Sequence, residues 1–213
     1  MKAAPAAFVA PLLPTLDAMA RRIRIQAHGA TYHVTANSTF GRRLFIENDD
    51  RRWFEYRLDD VIRRYEWSCK AHCLLGTHYH LLVTTPEPNL AAGMKRLNGM
   101  HAQAVNDRHE QFGSLFRERY HAELVETDGH LLAALRYIAL NPVRAGLCER
   151  PTDWRWSSYP AAIGWAAPAV SLDLGSVRAL FSADPAVART RLQAFVEDGL
   201  NGSGTSGSVT SGV

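Results

Sequence analysis

The sequence predicts an α+β domain built on an antiparallel sheet, and three observations carry that reading. Short runs of β-branched and aromatic residues alternate with stretches of helical periodicity. Two of the strand-like runs are separated by little more than Gly76-Thr77, too short a link for anything but an antiparallel hairpin. The order along the chain is strand, helix, strand, strand, helix, strand, helix, which suits helices laid on one face of the sheet. A chain of 213 residues with 46% hydrophobic residues can bury such a core.

Taken in order, MKAAPAAFVAPLLPTLDAMA (1–20) is Ala/Pro-rich and reads as a flexible leader; one lysine and several prolines make a poor signal peptide. IRIQAHGATYHVTANS (23–38) reads as a first strand with a break at Gly29. Asp49 or Asp50 is placed to cap a helix over 51–66, whose Phe54, Leu58, Val61, Ile62 and Tyr65 recur on one face. WSCKAHCLL alternates, with Trp67, Cys69, Ala71, Cys73 and Leu75 on one side and Ser68, Lys70 and His72 on the other. HYHLLVTT completes the hairpin, and Pro86 and Pro88 end it. NLAAGMKRLNGMHAQAVNDRH repeats Leu90, Met94, Leu97, Ala104 and Val105 at helical spacing, and FGSLFRERYHAELVET (112–127) reads as a strand or hairpin arm.

Thr127 or Asp128 caps the next helix, HLLAALRYIALN, which Pro142 is expected to break or turn; Gly146 suits a helix C-cap. The core is thus expected over 21–165. Beyond it, SLDLGSVRALF and DPAVARTRLQAFVEDGL suggest two short helices in an appendage over 166–200. The last stretch, 201–213, is a Gly/Ser/Thr tail too polar to bury.

Charge and cysteine content narrow the function classes. Twenty-four Lys+Arg against 21 Asp+Glu give a net charge of +3, which permits a nucleic-acid partner without demanding one. Three cysteines give no disulfide framework and fit a reducing cytosol. No apolar run approaches the roughly 18 residues of a membrane span.

The chemistry concentrates in two places. On a strand, His78 and His80 project to one side while Tyr79, Leu81 and Val83 project to the other, so two imidazoles share a face and can bind one divalent metal. Cys69 and Cys73 cannot complete a zinc site with them: four residues apart on a strand, they stand about 13 Å from each other. The second place is RYIALNPVRAGL (136–147). With Leu131, Leu135 and Ile138 as the core face of the helix, Tyr137 and Asn141 lie four apart and off that direction, presenting a phenol beside an amide oxygen. Read singly, each pair also fits a bland role, as strand histidines or as a core-rim Tyr and a turn-forming Asn. Together they match what phosphodiester transfer by a tyrosine needs, because a phenol protonated at neutral pH attacks only a phosphate that is held and neutralised.

On these residues the chain resembles the HUH-type single-Tyr transposases of the IS200-like superfamily, in particular the REP-associated tyrosine transposases. His78-Tyr79-His80 matches the His-hydrophobic-His signature, and Tyr137-Ile138-Ala139-Leu140-Asn141-Pro142-Val143-Arg144-Ala145-Gly146 matches a second, longer block; WRWSSY matches a common feature after the core. Family members often carry Pro-Asn before the first histidine, where this chain has Gly76-Thr77. The resemblance covers about residues 21–165. It implies a ferredoxin-like nuclease core acting on single-stranded or hairpin DNA of palindromic repeat elements, in the cytoplasm at the nucleoid. It also implies Tyr137 as the nucleophile forming a 5′-phosphotyrosine link, and Mg²⁺ or Mn²⁺ held by His78, His80 and Asn141. Candidate DNA contacts are Arg22 and Arg24 in a basic lead-in with Arg21, then Lys95, Arg96, Arg117, Arg119 and Arg144. A module on the same fold that binds nucleic acid without catalysis, and a metal hydrolase using water, remain alternatives; monomer and homodimer are both open.

Overall fold

The computed structural model describes residues 26–201. The leader, Arg21, Arg22, Arg24 and the tail beyond 201 lie outside the described residues. The elements are β1 (Ala30–Asn37), α1 (Asn48–Tyr65), β2 (Ser68–Leu74), β3 (His78–Thr85), α2 (Leu90–Arg108), β4 (His121–Val125) and α3 (Asp128–Arg144). A 3-10 turn at Pro151–Asp153 then leads to α4 (Tyr159–Ala162), α5 (Leu174–Ala179) and α6 (Pro185–Asn201). The four strands form one antiparallel sheet in the order β2-β3-β1-β4. The expected α+β architecture is therefore present, with β1 and β3 central.

Strand alternation decides what each sheet face becomes. Tyr32, Val34 and Ala36 of β1 pair in register with Val83, Leu81 and Tyr79 of β3, and all six are buried in one apolar cluster with Phe54 and Leu58 of α1 and Met94 and Leu97 of α2. These two helices cover one face, as the sequence predicts. The third does not join them. Helix α3 lies on the opposite face against β2 and β3, where Leu135 and Ile138 pack with Ala71, Cys73 and Leu82, and α6 packs behind it.

Strand β2 departs from the predicted alternation. The register with β3 shifts between Cys69 and Ala71, a β-bulge that leaves Cys69 in the α1/α2 cluster and sends Ala71 and Cys73 to the α3 cluster. One extra residue reverses every side chain after it. The outer edge of β2 is covered by the WRWSSY segment: the Leu74 amide donates to the Trp156 carbonyl at 2.8 Å, and Ser158 to that of His72 at 2.9 Å.

Capping follows the sequence with small changes. Helix α1 starts at Asn48, earlier than expected, with Glu47 rather than Asp49 or Asp50 as its N-cap; Asp50 sits inside the first turn, where its carboxylate accepts from the Ile46 and Glu47 amides, both at 2.9 Å. Thr127 Oγ1 accepts from the His130 amide at the start of α3. Pro142 does not break α3, contrary to expectation; it sits buried within the last turn. There it forfeits a single amide donor, and the packing of Leu140 and Asn141 holds the helix through it. The stop comes at Gly146, whose φ of +67° lets the Leu147 amide reach the Pro142 carbonyl at 2.9 Å. Of the two C-terminal helices, α5 is short and α6 is a full 17 residues.

Candidate active site

The histidines stand on the α3 face of the sheet. His78 and His80 pair in register with Asn37 and Thr35 of β1, and His33 is the next residue of β1 to point the same way. Antiparallel pairing thus brings a third imidazole to the first two. His33 Nε2 lies 3.1 Å from His80 Nδ1, and Thr35 Oγ1 lies 3.1 Å from the same atom. The His78 and His80 ring centres are 5.1 Å apart.

Above them runs α3. Its Tyr137 ring sits 5.3 Å from that of His80 and 5.8 Å from that of His33, and it is 41% exposed, unlike the buried tyrosines of the opposite face. Asn141, one turn on, is buried with its side chain beside that of His78. The two stretches singled out in the sequence therefore meet: phenol, amide and both imidazoles share one corner between β3 and α3.

Burial sets the protonation of this corner. It pushes His80 down to about 3, with the neighbouring His33 and His78 adding to the effect. Burial also lowers His78, partly offset by the Asn141 side chain, and it lowers His33 against the opposing pull of Glu123. All three rings are thus biased toward the neutral form, whose free nitrogen can bind a cation. His80 Nε2 is such an atom: it is buried and has no hydrogen-bond partner among the described residues. With Nδ1 protonated and donating to Thr35 or His33, the Nε2 lone pair is left to face the corner. Among the described residues no three His, Cys, Asp or Glu side chains are arranged to hold a metal. A cation here would rest on two imidazoles and the Asn141 amide, a set that leaves coordination positions for phosphate and water.

The corner opens into a cleft of about 1050 Å³ running between α3 and β4. Arg117 and Arg119 line it, with Glu118 paired to Arg117 at 3.1 Å. The Arg144 guanidinium lies 5.5 Å from the centre of the Tyr137 ring. Lys95 and Arg96 do not border it. Both ride on α2, which packs with α1 across the sheet, and Arg96 is paired with Asp60 of α1 at 3.0 Å. Cys69 and Cys73 are structural: both are fully buried, on opposite faces, and burial raises the Cys69 thiol to about 12. Residues not foreseen are His33, Thr35 and Asn37 on β1 and His121 and His130 across the cleft. The period-2 pattern of ATYHVTAN already set the β1 trio on one face; what it could not show is which strand β1 would lie beside.

The model of one protein family, described as IS200-like transposases, matches residues 26–141, over half of the chain. The chain belongs to that family. The match spans the sheet, α1, α2 and α3 as far as Asn141, and so includes all the residues of the corner. A Haemophilus influenzae protein assigned as a REP-associated tyrosine transposase is 29% identical over 117 residues, covering 50% of this family member and 66% of that relative. Among solved structures, a REP-associated tyrosine transposase bound to a REP hairpin superposes with a TM-score of 0.61 at 18% identity, over 73% of this chain and 96% of that one. At that identity the likeness is one of fold. No helix among the described residues is long and apolar enough to cross a membrane.

Proposed function

We propose that this IS200-like transposase cuts and rejoins single-stranded or hairpin DNA, with Tyr137 as nucleophile. The observation that carries the reading is the half-exposed Tyr137 ring 5.3 Å from His80 at the floor of an arginine-lined cleft. Membership of the family supports it, and the relative solved with a REP hairpin makes hairpin DNA the substrate to test first.

In the step proposed, the Tyr137 Oη attacks the scissile phosphorus, its proton passing to solvent. The bond from phosphorus to the 3′ oxygen breaks, and the strand upstream leaves with a 3′-OH while the 5′ phosphate stays on Tyr137. Attack by a 3′-OH on that phosphotyrosine rejoins DNA and frees the phenol. His78, His80 and Asn141 would hold Mg²⁺ or Mn²⁺, which when bound supplies positive charge to the phosphate oxygens. Thr35 and His33 orient His80 through Nδ1, so its Nε2 keeps the lone pair turned to the corner. Arg144 stands beside the phenol ring, and Arg117 and Arg119 offer phosphate contacts along the strand.

Incubating the full chain with a labelled hairpin and Mn²⁺, then resolving the products on a denaturing gel, tests this directly. Wild type should give a covalent protein–DNA adduct and Tyr137→Phe none. An adduct that persists in Tyr137→Phe places the nucleophile elsewhere; turnover with no covalent species in either points to water as nucleophile.

A further inference from the structure

Two phenylalanines are the most exposed large hydrophobic residues among those described. Phe40 is 99% exposed and Phe112 94%, while the next large hydrophobic among the described residues is Trp165 at 64%. Each precedes a glycine in the left-handed region, Gly41 at φ +76° and Gly113 at φ +85°. The backbone folds back on itself at both glycines, so both rings are carried at loop tips. Neither ring makes an aromatic or cation–π contact among the described residues.

The loops that carry them are fastened together. The Thr39 amide donates to the Leu115 carbonyl at 2.8 Å, and Thr39 Oγ1 to that of Ser114 at 2.9 Å. Arg42 reaches across from the first loop to the second, donating to the carbonyls of Phe112, Gly113 and Ser114 and to the side-chain oxygens of Asn106 and Gln111. All its acceptors are neutral. Neither Arg42 nor the exposed Arg43 beside it is paired with a carboxylate among the described residues, so the platform under the rings carries uncompensated positive charge.

This platform continues the cleft. Phe40 is three residues beyond Asn37, which lines the cleft and pairs in register with His78; three residues span at most about 11 Å. Ser38 is bridged to Phe116, and the Arg117 amide donates to the Asn37 carbonyl at 3.0 Å, so the second loop leads straight into the cleft wall. The loop that carries Phe40 is thus within about 11 Å of the cleft residue Asn37.

We propose that Phe40 and Phe112 form a stacking platform for unpaired DNA bases flanking the cleavage site, with Arg42 and Arg43 drawing in the backbone. The proposal rests on the DNA-processing reading above and assigns it a surface of its own. Exposed rings on a cationic base suit nucleobases, because every base offers a flat apolar face while its phosphate remains in solvent. A second copy of this chain is the competing occupant.

The test compares a hairpin bearing a single-stranded flank with the same hairpin cut blunt, binding each to the full chain by fluorescence anisotropy. Phe40→Ala/Phe112→Ala should weaken the flanked hairpin roughly tenfold or more and the blunt hairpin by less than about twofold. Phe40→Trp/Phe112→Trp should restore affinity. The salt dependence of binding should keep its slope, since no phosphate contact is removed. Equal affinity of wild type and the double alanine variant for the flanked hairpin overturns the platform, as does equal weakening of both hairpins. A wild-type dimer that the double variant dissociates in sedimentation also overturns it, in favour of self-association. Binding and adduct formation are separate readouts: a flank effect without any Tyr137 adduct keeps the platform and removes the nucleophile.

Discussion

The two faces of the sheet share the same strands and differ in everything else. On one, Tyr79, Leu81 and Val83 of β3 are sealed beneath α1 and α2. On the other, the neighbours of those residues are His78, His80 and Leu82, and α3 covers only part of what they present. Burying each side chain of the first set contributes about 1.5–3 kcal/mol. The second face gives up part of that gain by keeping His80 Nε2 buried without a partner among the described residues. A lone orphaned donor or acceptor costs about 1–3 kcal/mol. One face holds the fold together, and the other keeps groups in states that folding alone would not select.

That contrast breaks most sharply under substitution of adjacent residues. Leu81→Asp should cost 4 kcal/mol or more, on the order expected for an unpaired charge in a packed interior, and abolish cooperative urea unfolding. His80→Ala, one residue away, should shift the unfolding midpoint by about 1 kcal/mol or less while eliminating the covalent adduct and leaving hairpin binding nearly intact. A stable Leu81→Asp, or a His80→Ala that unfolds, would erase the distinction between the faces.

A smaller effect sharpens the packed side. A Cβ added at Gly93 of α2 would stand 2.2 Å from Trp67 Cζ2, so Gly93→Ala must push the indole out of place. The expected loss is about 1–3 kcal/mol in chemical denaturation, with adduct formation per folded molecule unchanged. A wild-type midpoint would mean that the α2 contact is looser than its geometry.

The mildest expected effect is on pH, and it involves both faces. His33, His78 and His80 on the open side and His101 on the packed side are all lowered by burial, His80 to about 3 and His101 to about 4. Above the ordinary imidazole value near 6.5, neither folded nor unfolded chain protonates them, and their full contribution is present. As pH falls below it, the unfolded chain takes up protons that the folded chain refuses, so stability declines toward the folded values. Urea midpoints in metal-free buffer should therefore fall between pH 7.5 and pH 5, above the carboxylate range. The fall should be shallower in His80→Ala. A flat profile would mean that these rings are less desolvated than their burial implies.

Much of this was readable beforehand. Alternation in HYHLLVTT sorted the imidazoles from Tyr79, Leu81 and Val83, and spacing in RYIALNPVRAGL set Tyr137 and Asn141 one turn apart, because local geometry imposes periods of 2 and 3.6 on any chain. The misses have a common cause. The bulge between Cys69 and Ala71 depends on how β2 registers against β3, and the continuation of α3 through Pro142 depends on what packs around it. Lys95 and Arg96 are candidate contacts only if α2 borders the site, and α2 packs with α1 across the sheet. His33 shows no local sign of a role, since its meaning comes from a strand 47 positions away.

By itself, then, the sequence determined which residues of HYHLLVTT and RYIALNPVRAGL share a face and the kind of chemistry carried by the His and Tyr-Asn pairs, all consequences of backbone periodicity and side-chain type. Only the tertiary structure decided that β1 lies between β3 and β4, that α3 crosses to the histidine face and that Tyr137 meets His80 there. Those are pairings between distant segments, chosen by burial of apolar area over the whole domain, and no local pattern encodes which partner a strand or helix will find.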